Sequence, residues 1–375
     1  MGSWSFKKRI KIIPGIRLNL SRSGISTSIG ISGANLTFGN KGTYLNTGIP
    51  GTGIYKRQKI FNTEQPETIN NEEPPIINIK KEDTIFSIEP EKITSQDMQG
   101  IKDSIIDAYN QREQLQKDIK KVQTDLVLSK ILIVIIHILI FGFFSKKLKN
   151  QLISNIENQK NAINQLEKEK NNSYIKLDIE FDEEMKTAYN LVLDNFKKLI
   201  NSQKIWDITR SENQNRVTTR SAASTAIVRT EVKFDFQNLE DIQYQNKALY
   251  FKNANGADLY FYPNFIVMKN KNDFGVIGLN ELDFDFSETS FVEQEAVPSD
   301  SKIIDTTWLK VNKNGTPDKR FKDNKEIPMV RYGTITLNTE TGVNEEYQFS
   351  NYESCEEFSN NFCEYINIIK ESKII

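Results

Sequence analysis

"LVLSKILIVIIHILIFGFF", residues 126–144, is the one stretch where this otherwise polar chain turns almost wholly apolar. It lies mid-chain between two charged stretches with helical patterning. A run of that kind must be buried in a core, packed in a coiled coil or placed in lipid. The apolar positions leading into it are Ile101, Ile105, Ala108, Leu115, Ile119, Val122 and Leu126, with Arg112 filling the position skipped between Ala108 and Leu115. That is a heptad seam, and it continues in register through Ile133, Ile136, Ile140 and Phe143. Beyond Gly142 the seam is thinner, with Leu148, Leu152, Ile156, Ile163 and Leu166, and Gln159 at a core-like site. The spacing predicts a long central helical hairpin or coiled coil over residues 95–172, opened by Thr94-Ser95 with Asp97 in its first turn.

Length decides what the run can do in a bilayer. The clean part, Ile131 to Phe144, is 14 residues, or about 21 Å of helix, against a hydrocarbon core of about 30 Å. Reaching back to Leu126 gives 19 residues and about 28 Å, but takes in Ser129 and Lys130, the latter near enough to one end to snorkel. The flanks carry matched cations: Arg112, Lys117, Lys120 and Lys121 before the run, Lys146, Lys147, Lys149 and Lys160 after it. A single crossing is expected to be asymmetric in cations, so symmetric flanks fit better with both ends on one side. The favoured expectation is a hairpin bending near Gly142-Phe143-Phe144, with Ile131, Ile133, Ile136, His137, Ile140, Phe143 and Phe144 at or near a tip that packs or dips into lipid. A single transmembrane helix and a wholly soluble antiparallel coiled coil, with self-association through its seam, are the alternatives.

Composition narrows the chemistry. A length of 375 residues suggests two or three domains, and 49 basic against 50 acidic residues give no global pull toward nucleic acid. Cys355 and Cys363 cannot form a disulfide framework or a zinc site; on one helix their Cα atoms lie roughly 12 Å apart, beyond disulfide reach. They read as two small buried hydrophobes. His137 is the only histidine, which removes His-based triads and His-rich metal sites; as a membrane-depth proton site it is outweighed by a tolerated polar group. No cofactor motif is expected. The basic start has no apolar stretch after it and reads as lacking a signal peptide, and Phe6 stands where myristoylation wants Ser or Thr.

Residues 1–58 read as a small glycine-rich antiparallel β domain. Ile16, Leu18 and Leu20 alternate with Arg17, Asn19 and Ser21, and glycines break the pattern every few residues, with Gly39-Asn40-Lys41-Gly42 as a tight turn. "GIPGTG", Gly48 to Gly53, lacks the Lys-Ser/Thr ending of a phosphate-binding loop, so its glycines read as turn formers. The side chains are too small for a large core, so the sheet should dock on something or on copies of itself. Residues 59–94, with Pro66, Pro74, Pro75 and Pro90 among Glu, Asn and Thr, read as a disordered acidic linker.

Residues 173–375 read as an α+β module. "SYIKLDIEFD" alternates, a helical pattern follows through Met185, Tyr189, Val192, Phe196 and Leu199, and "KIWDI" opens a series of strands. Residues 209–230, with Arg210, Arg216, Arg220 and Arg229, read as a polar basic loop whose cations are solvated. Phe358, Phe362, Tyr365, Ile366 and Ile369 place a closing amphipathic helix at about 353–370. A curved antiparallel sheet closed by one terminal helix is the outline of pleckstrin-homology-like barrels, a fold-level analogy only. The fold class expected is thus α+β and multidomain.

Two resemblances follow from these residues. "FKKRIKIIPGIRLNLSRSGISTSIGISGANLTFGNKGTYLNTGIPGTGIY" resembles the bacterial glycine-rich N-terminal family catalogued as domain of unknown function 4236, which implies no known activity. The segment with Trp308, Asn312, Lys313, Gly315, Pro317, Asp318, Arg320, Phe321, Asn324, Ile327, Pro328, Tyr332 and Gly333 resembles a recurrent bacterial module, again without a known reaction; Thr316 stands where that pattern usually has a second glycine. Trp308, Asp318, Arg320 and Phe321 are its recognition candidates. They read first as a structural loop with an Asp–Arg pair and buried aromatics. A site of catalysis there would need a partner for the carboxylate, and no His, Cys pair or nucleophile motif lies nearby. The resulting expectation is a bacterial interaction or scaffold protein without catalytic activity, bound to an unidentified protein partner at the cytoplasmic membrane or its cytoplasmic face. A soluble cytoplasmic coiled-coil binding protein and an enzyme using Asp318 and Arg320 are the alternatives.

Overall fold

The computed structural model describes residues 13–22, 24–31, 34–39, 42–48, 55–61, 84–139 and 146–374. In chain order the elements are β1 (Gly15–Ser21), β2 (Gly24–Ile31), β3 (Ala34–Gly39), β4 (Gly42–Gly48), β5 (Tyr55–Phe61), α1 (Gln99–Leu139), α2 (Lys146–Asn172), β6 (Ile175–Phe181), α3 (Glu183–Leu199), β7 (Ile205–Asn213), α4 (Arg216–Thr219), β8 (Thr225–Glu231), β9 (Phe234–Phe236), β10 (Ile242–Gln243), β11 (Leu249–Phe251), β12 (Asp258–Phe261), β13 (Phe265–Asn270), β14 (Asp273–Gly278), β15 (Asp283–Val292), β16 (Lys302–Trp308), β17 (Glu326–Asn338), β18 (Asn344–Phe349) and α5 (Tyr352–Ile374). The architecture is mixed α+β, with an N-terminal antiparallel sheet, a helix of 41 residues and C-terminal antiparallel sheets. The chain divides into two compact units. One is Met1–Gly15, Asp103–Leu177 and Glu240–Gln243; the other is Ile16–Lys102, Asp178–Leu239 and Tyr244–Ile375.

In the first unit α1 and α2 pack together, α1 through expected seam residues and α2 through Leu166 and Ala162, the latter in place of the expected Ile163. Leu115, Ile119 and Val122 of α1 share a buried cluster with Ala162 and Leu166 of α2, and Ile163 packs against it. The helices are antiparallel: Gln111 Nε2 donates to Ser173 Oγ at 2.9 Å and Arg112 Nη1 to Lys170 O at 3.3 Å, while Ile119 reaches the level of Ala162. Arg112, the residue that interrupts the heptads, pairs at 3.2 Å with buried Asp241. Asp241 in turn accepts the Ile175 N–H on its carbonyl at 2.7 Å, and β10 pairs in parallel with Ile175 and Lys176. The break in the apolar pattern thus holds a distant segment by charge.

Among the described residues no helix is long and apolar enough to cross a membrane, so the transmembrane helix considered above is not found. The end of the run, Ile140 to Phe144, and the expected bend near Gly142 lie outside the described residues, as does the side chain of His137.

In the second unit the glycine-rich strands follow chain order, and β2–β3, β3–β4 and β4–β5 are antiparallel. Ile16, Leu18 and Leu20 are buried while Arg17 and Asn19 are exposed, the period of two read from sequence. Asp182 ties this sheet to α3: it caps the helix through Met185 N–H at 2.8 Å, accepts the Arg22 N–H at 2.9 Å, and donates its own N–H to Leu20 O at 2.9 Å. A short apolar sheet therefore docks on a neighbouring element.

Two antiparallel sheets form the rest of this unit: β14-β13-β12-β11-β9, and β15-β17-β18-β7-β8 with β16 paired to β17. Their shared core is aromatic. Phe196 of α3 stacks on Phe251 at 5.7 Å between centroids and approaches Phe358 of α5 at 5.6 Å, and Phe234 meets Tyr347 and Phe349 edge-on. Phe358, Phe362, Tyr365, Ile366 and Ile369 of α5 are all buried, as their spacing predicts.

Two expectations change here. Residues 209–230 are largely a β hairpin, β7 and β8 joined through the four-residue α4, rather than a loop. Residues 84–94, expected as linker, are built into the fold: Thr84 bridges Arg210, Ile85 N–H donates to Thr209 O, Ile88 N–H to Gly342 O, and Thr94 bridges Val276. Ile93 is fully buried, and that one side chain supplies apolar burial that the Pro-rich composition conceals. Of the remainder of the expected linker, residues 59–61 belong to β5 and residues 62–83 lie outside the described residues.

Candidate functional site

The two terminal strands of the path β15-β17-β18-β7-β8 are bridged by side chains: Arg229 of β8 reaches Glu293, just beyond β15, at 2.6 Å. Arg229 is sandwiched: its guanidinium carbon lies 4.0 Å from the Trp206 ring and 4.3 Å from the Phe291 ring, and it donates to Gln348 Oε1 at 3.1 Å. Tyr332 OH donates to the same Glu293 oxygen at 2.8 Å, and Glu295 N–H to the other at 3.0 Å. Burial pushes the Glu293 carboxyl up, but the bonds from Arg229, Glu295 and Tyr332 outweigh it and hold the group below its ordinary range. The Tyr332 hydroxyl is pushed up, by burial first and by Glu293 second. Both ionic side chains of the pair are at most 9% exposed, so loss of either partner would cost about 3–5 kcal/mol.

Beside this clasp lies a cleft of about 540 Å³, within the usual size range of ligand pockets. It is lined by Thr225, Ala226 and Ile227 of β8, Thr289 to Val292 of β15, Ser221 to Ser224, and Glu346 and Gln348 of β18. Glu346 is half-buried, burial raises its carboxyl, and it is the one carboxyl-bearing residue lining the cleft.

None of the recognition candidates lines the cleft, though Leu309, next to Trp308, does. Asp318 is buried and receives Arg320 Nε at 2.9 Å and Nη2 at 2.8 Å, together with the Arg220 guanidinium. Val311 N–H donates to Arg220 O at 3.0 Å, so this loop braces the segment that enters Ser221–Ser224. Trp308 ends β16 opposite Glu326 and is half-buried. Phe321 is 41% exposed rather than a buried aromatic; the Asp318 carboxylate, not an apolar contact, anchors its turn. Asp318 is thus consumed by two guanidiniums and is placed as a brace. On α1, Ile131 is exposed and Ile133 and Ile136 are half-buried; Ile140, Phe143 and Phe144 lie outside the described residues.

A second group of acids lies elsewhere in the same unit. Asp207 and Glu345 are both without exposure. Ser87 donates its N–H and hydroxyl to Glu345 Oε1 at 3.2 and 2.5 Å, and Ala254 N–H donates to Asp207 Oδ2 at 2.7 Å. Burial raises Asp207 to about 6. Burial, with the charge of Asp207 adding to it, raises Glu345 to about 7. Among the described residues no set of three His, Cys, Asp or Glu side chains gathers as metal ligands.

The clasp of Arg229, Glu293 and Tyr332 escapes sequence reading because these side chains meet across 39 or more residues of chain, and Glu346 because only the tertiary structure shows that it lines the cleft. The available signal was Arg229 itself, a cation in the β-prone stretch "TAIVRTE", where a solvated role is least natural. No curated protein and no solved structure matches the chain. Residues 4–57, the glycine-rich region that includes β1 to β4, match the family model described as Protein of unknown function (DUF4236).

Proposed function

We propose that this chain is a non-catalytic interaction or scaffold protein that contacts the cytoplasmic face of a membrane through the apolar part of its helical hairpin. The observation that carries this reading is the exposure of Val127, Leu128, Ile131, Val134 and Ile135 beyond Val122, the last of the buried α1 residues in the seam. Leu128 and Val134 are 59% and 53% exposed. Exposed aliphatic area is unfavourable in water by about 25 cal/mol per Å², and a contiguous set marks a contact surface. Lys130 and Lys149 are exposed near this stretch and suit anionic headgroups. On this reading the hairpin is an antiparallel coiled coil serving as spacer, and the C-terminal sheets with α5 form a pleckstrin-homology-like binding module.

Flotation of the full chain with vesicles of phosphatidylglycerol and phosphatidylethanolamine tests the proposal. The parent chain should rise with the vesicles, and a variant carrying Ile131→Lys, Val134→Lys and Ile135→Lys should stay below while keeping its helical circular dichroism. A parent chain that stays below would overturn it. Self-association through the coiled-coil seam is the second reading, favoured by the heptad register of Ile133 and Ile136; it predicts a dimer by light scattering that Ile133→Lys with Ile136→Lys abolishes.

A further inference from the structure

We propose that the cleft between β8 and β15 binds an extended polypeptide segment carrying a lysine or arginine, which adds as a strand between the two edges and pairs its cation with Glu346. Strand parity is the first support. The path β15-β17-β18-β7-β8 has five strands joined by four antiparallel pairings, so β15 and β8 run in the same direction. Five strands cannot close on themselves with every pairing antiparallel. One added strand running the opposite way would make all of them so, and strand addition to an open edge is a general mode of peptide capture.

The lining is the second support. Thr225-Ala226-Ile227 and Thr289-Ser290-Phe291-Val292 border the cleft as consecutive residues. Side chains on a strand alternate between faces, so consecutive lining means that the backbone edges themselves border the cavity. Among the described residues neither strand has a second strand partner. The four residues of β15 span about 13 Å, room for a short strand, and the Arg229–Glu293 clasp ties the edges together at one end.

Charge is the third support. Glu346 is the one carboxyl-bearing residue of the lining, and among the described residues its side chain has neither a hydrogen bond nor an ion pair. The rest of the lining is hydroxyl, amide or apolar, as at Ser211, Gln214, Thr289, Ile327 and Met329. A half-buried carboxyl group facing the cleft without a partner favours a cationic ligand over a neutral or acidic one.

The test uses the full chain on an array of acetylated pentapeptides with randomised flanks and a central Lys, Arg, Gln or Glu. Lys and Arg peptides should be retained at least tenfold over Gln and Glu peptides. Glu346→Gln should remove that preference, Ala223→Arg should reduce Lys-peptide retention at least tenfold, and methylation of the backbone nitrogens of the best peptide should do the same. Retention independent of the central residue, a preference that survives Glu346→Gln in a variant with unchanged thermal unfolding, or full binding by the N-methylated peptide would each overturn the proposal.

Discussion

Glu345 sits with no exposed surface, its Oε1 held by two donors from Ser87 and its charge opposed by Asp207. Its ordinary value of 4.5 rises to about 7 and that of Asp207 from 3.8 to about 6, so folding favours the protonated forms. The sign follows from linkage. A carboxyl whose folded pKa is raised contributes stability that is complete below its unfolded pKa and is lost as pH rises through the folded one. For Glu345 alone the contribution is roughly 3 kcal/mol. The urea midpoint should therefore fall between pH 5 and pH 8, and Glu345→Gln should flatten that fall and raise stability at pH 8. A midpoint that is level or rises over this interval in the parent chain contradicts the assignment. Glu293 titrates below this window, because Arg229 and Tyr332 hold it low. Neither residue announces its role in sequence: "NEEYQF" reads only as a strand in which Glu345 and Glu346 fall on opposite faces, and which face is buried depends on what packs there.

At the scale of elements, α5 shows how closely a helix and a strand can be fitted. A Cβ built on Gly333 of β17 would lie 2.6 Å from Cys355 Cβ and 2.8 Å from its Sγ. Gly333→Ala must push α5 off the sheet, a strain of about 1–3 kcal/mol. Urea denaturation should report that loss, and Gly333→Ala combined with Cys355→Ala should regain most of what the Sγ contact costs. If Gly333→Ala is as stable as the parent chain, the helix is not seated as described. The glycine of the "YG" pair is thus explained by close approach to a helix some twenty residues further on. Patterning located α5, α3 and the hairpin helices because their apolar periods are long. It passed over β16, whose residues 302–306 are exposed, since a strand without an apolar face carries no period-two signal.

At the scale of the whole second unit, the segment from Thr84 to Met98 runs from one sheet to the other. It pairs with β7 through Thr84 and Ile85, meets β18 through Ser87, and reaches β14 through Thr94 and Ser95. Pro90 O and Ile93 O would lie within 2.8 Å of a Cβ at Gly275, so the strap lies directly against that strand. Ile93→Ala should destabilise the chain by about 2–4 kcal/mol, measured by urea denaturation at pH 6. A loss of a few tenths, as for a residue in an open linker, would show that the strap does not hold the sheets.

The amino-acid sequence by itself determined the helices with long apolar periods, the glycine-broken strands of the first 60 residues, the strand-rich C-terminal half and the terminal helix. These rest on local chemistry: backbone propensity, turn residues and periodic burial act over a few residues. Only the tertiary structure decided which cations are solvated and which are clasped, that Asp318 braces a loop, that two carboxyls lie buried together, and that two strand edges face one cleft. Those outcomes depend on residues far apart in the chain being brought within bonding distance, and burial, which sets the strength of each charge, exists only once they are. The apolar run at 126–144 stands between the two. Its sequence calls for a cover, and among the described residues Val127, Leu128, Ile131, Val134 and Ile135 are left exposed, because what covers an apolar face is set by what packs there and not by the face itself.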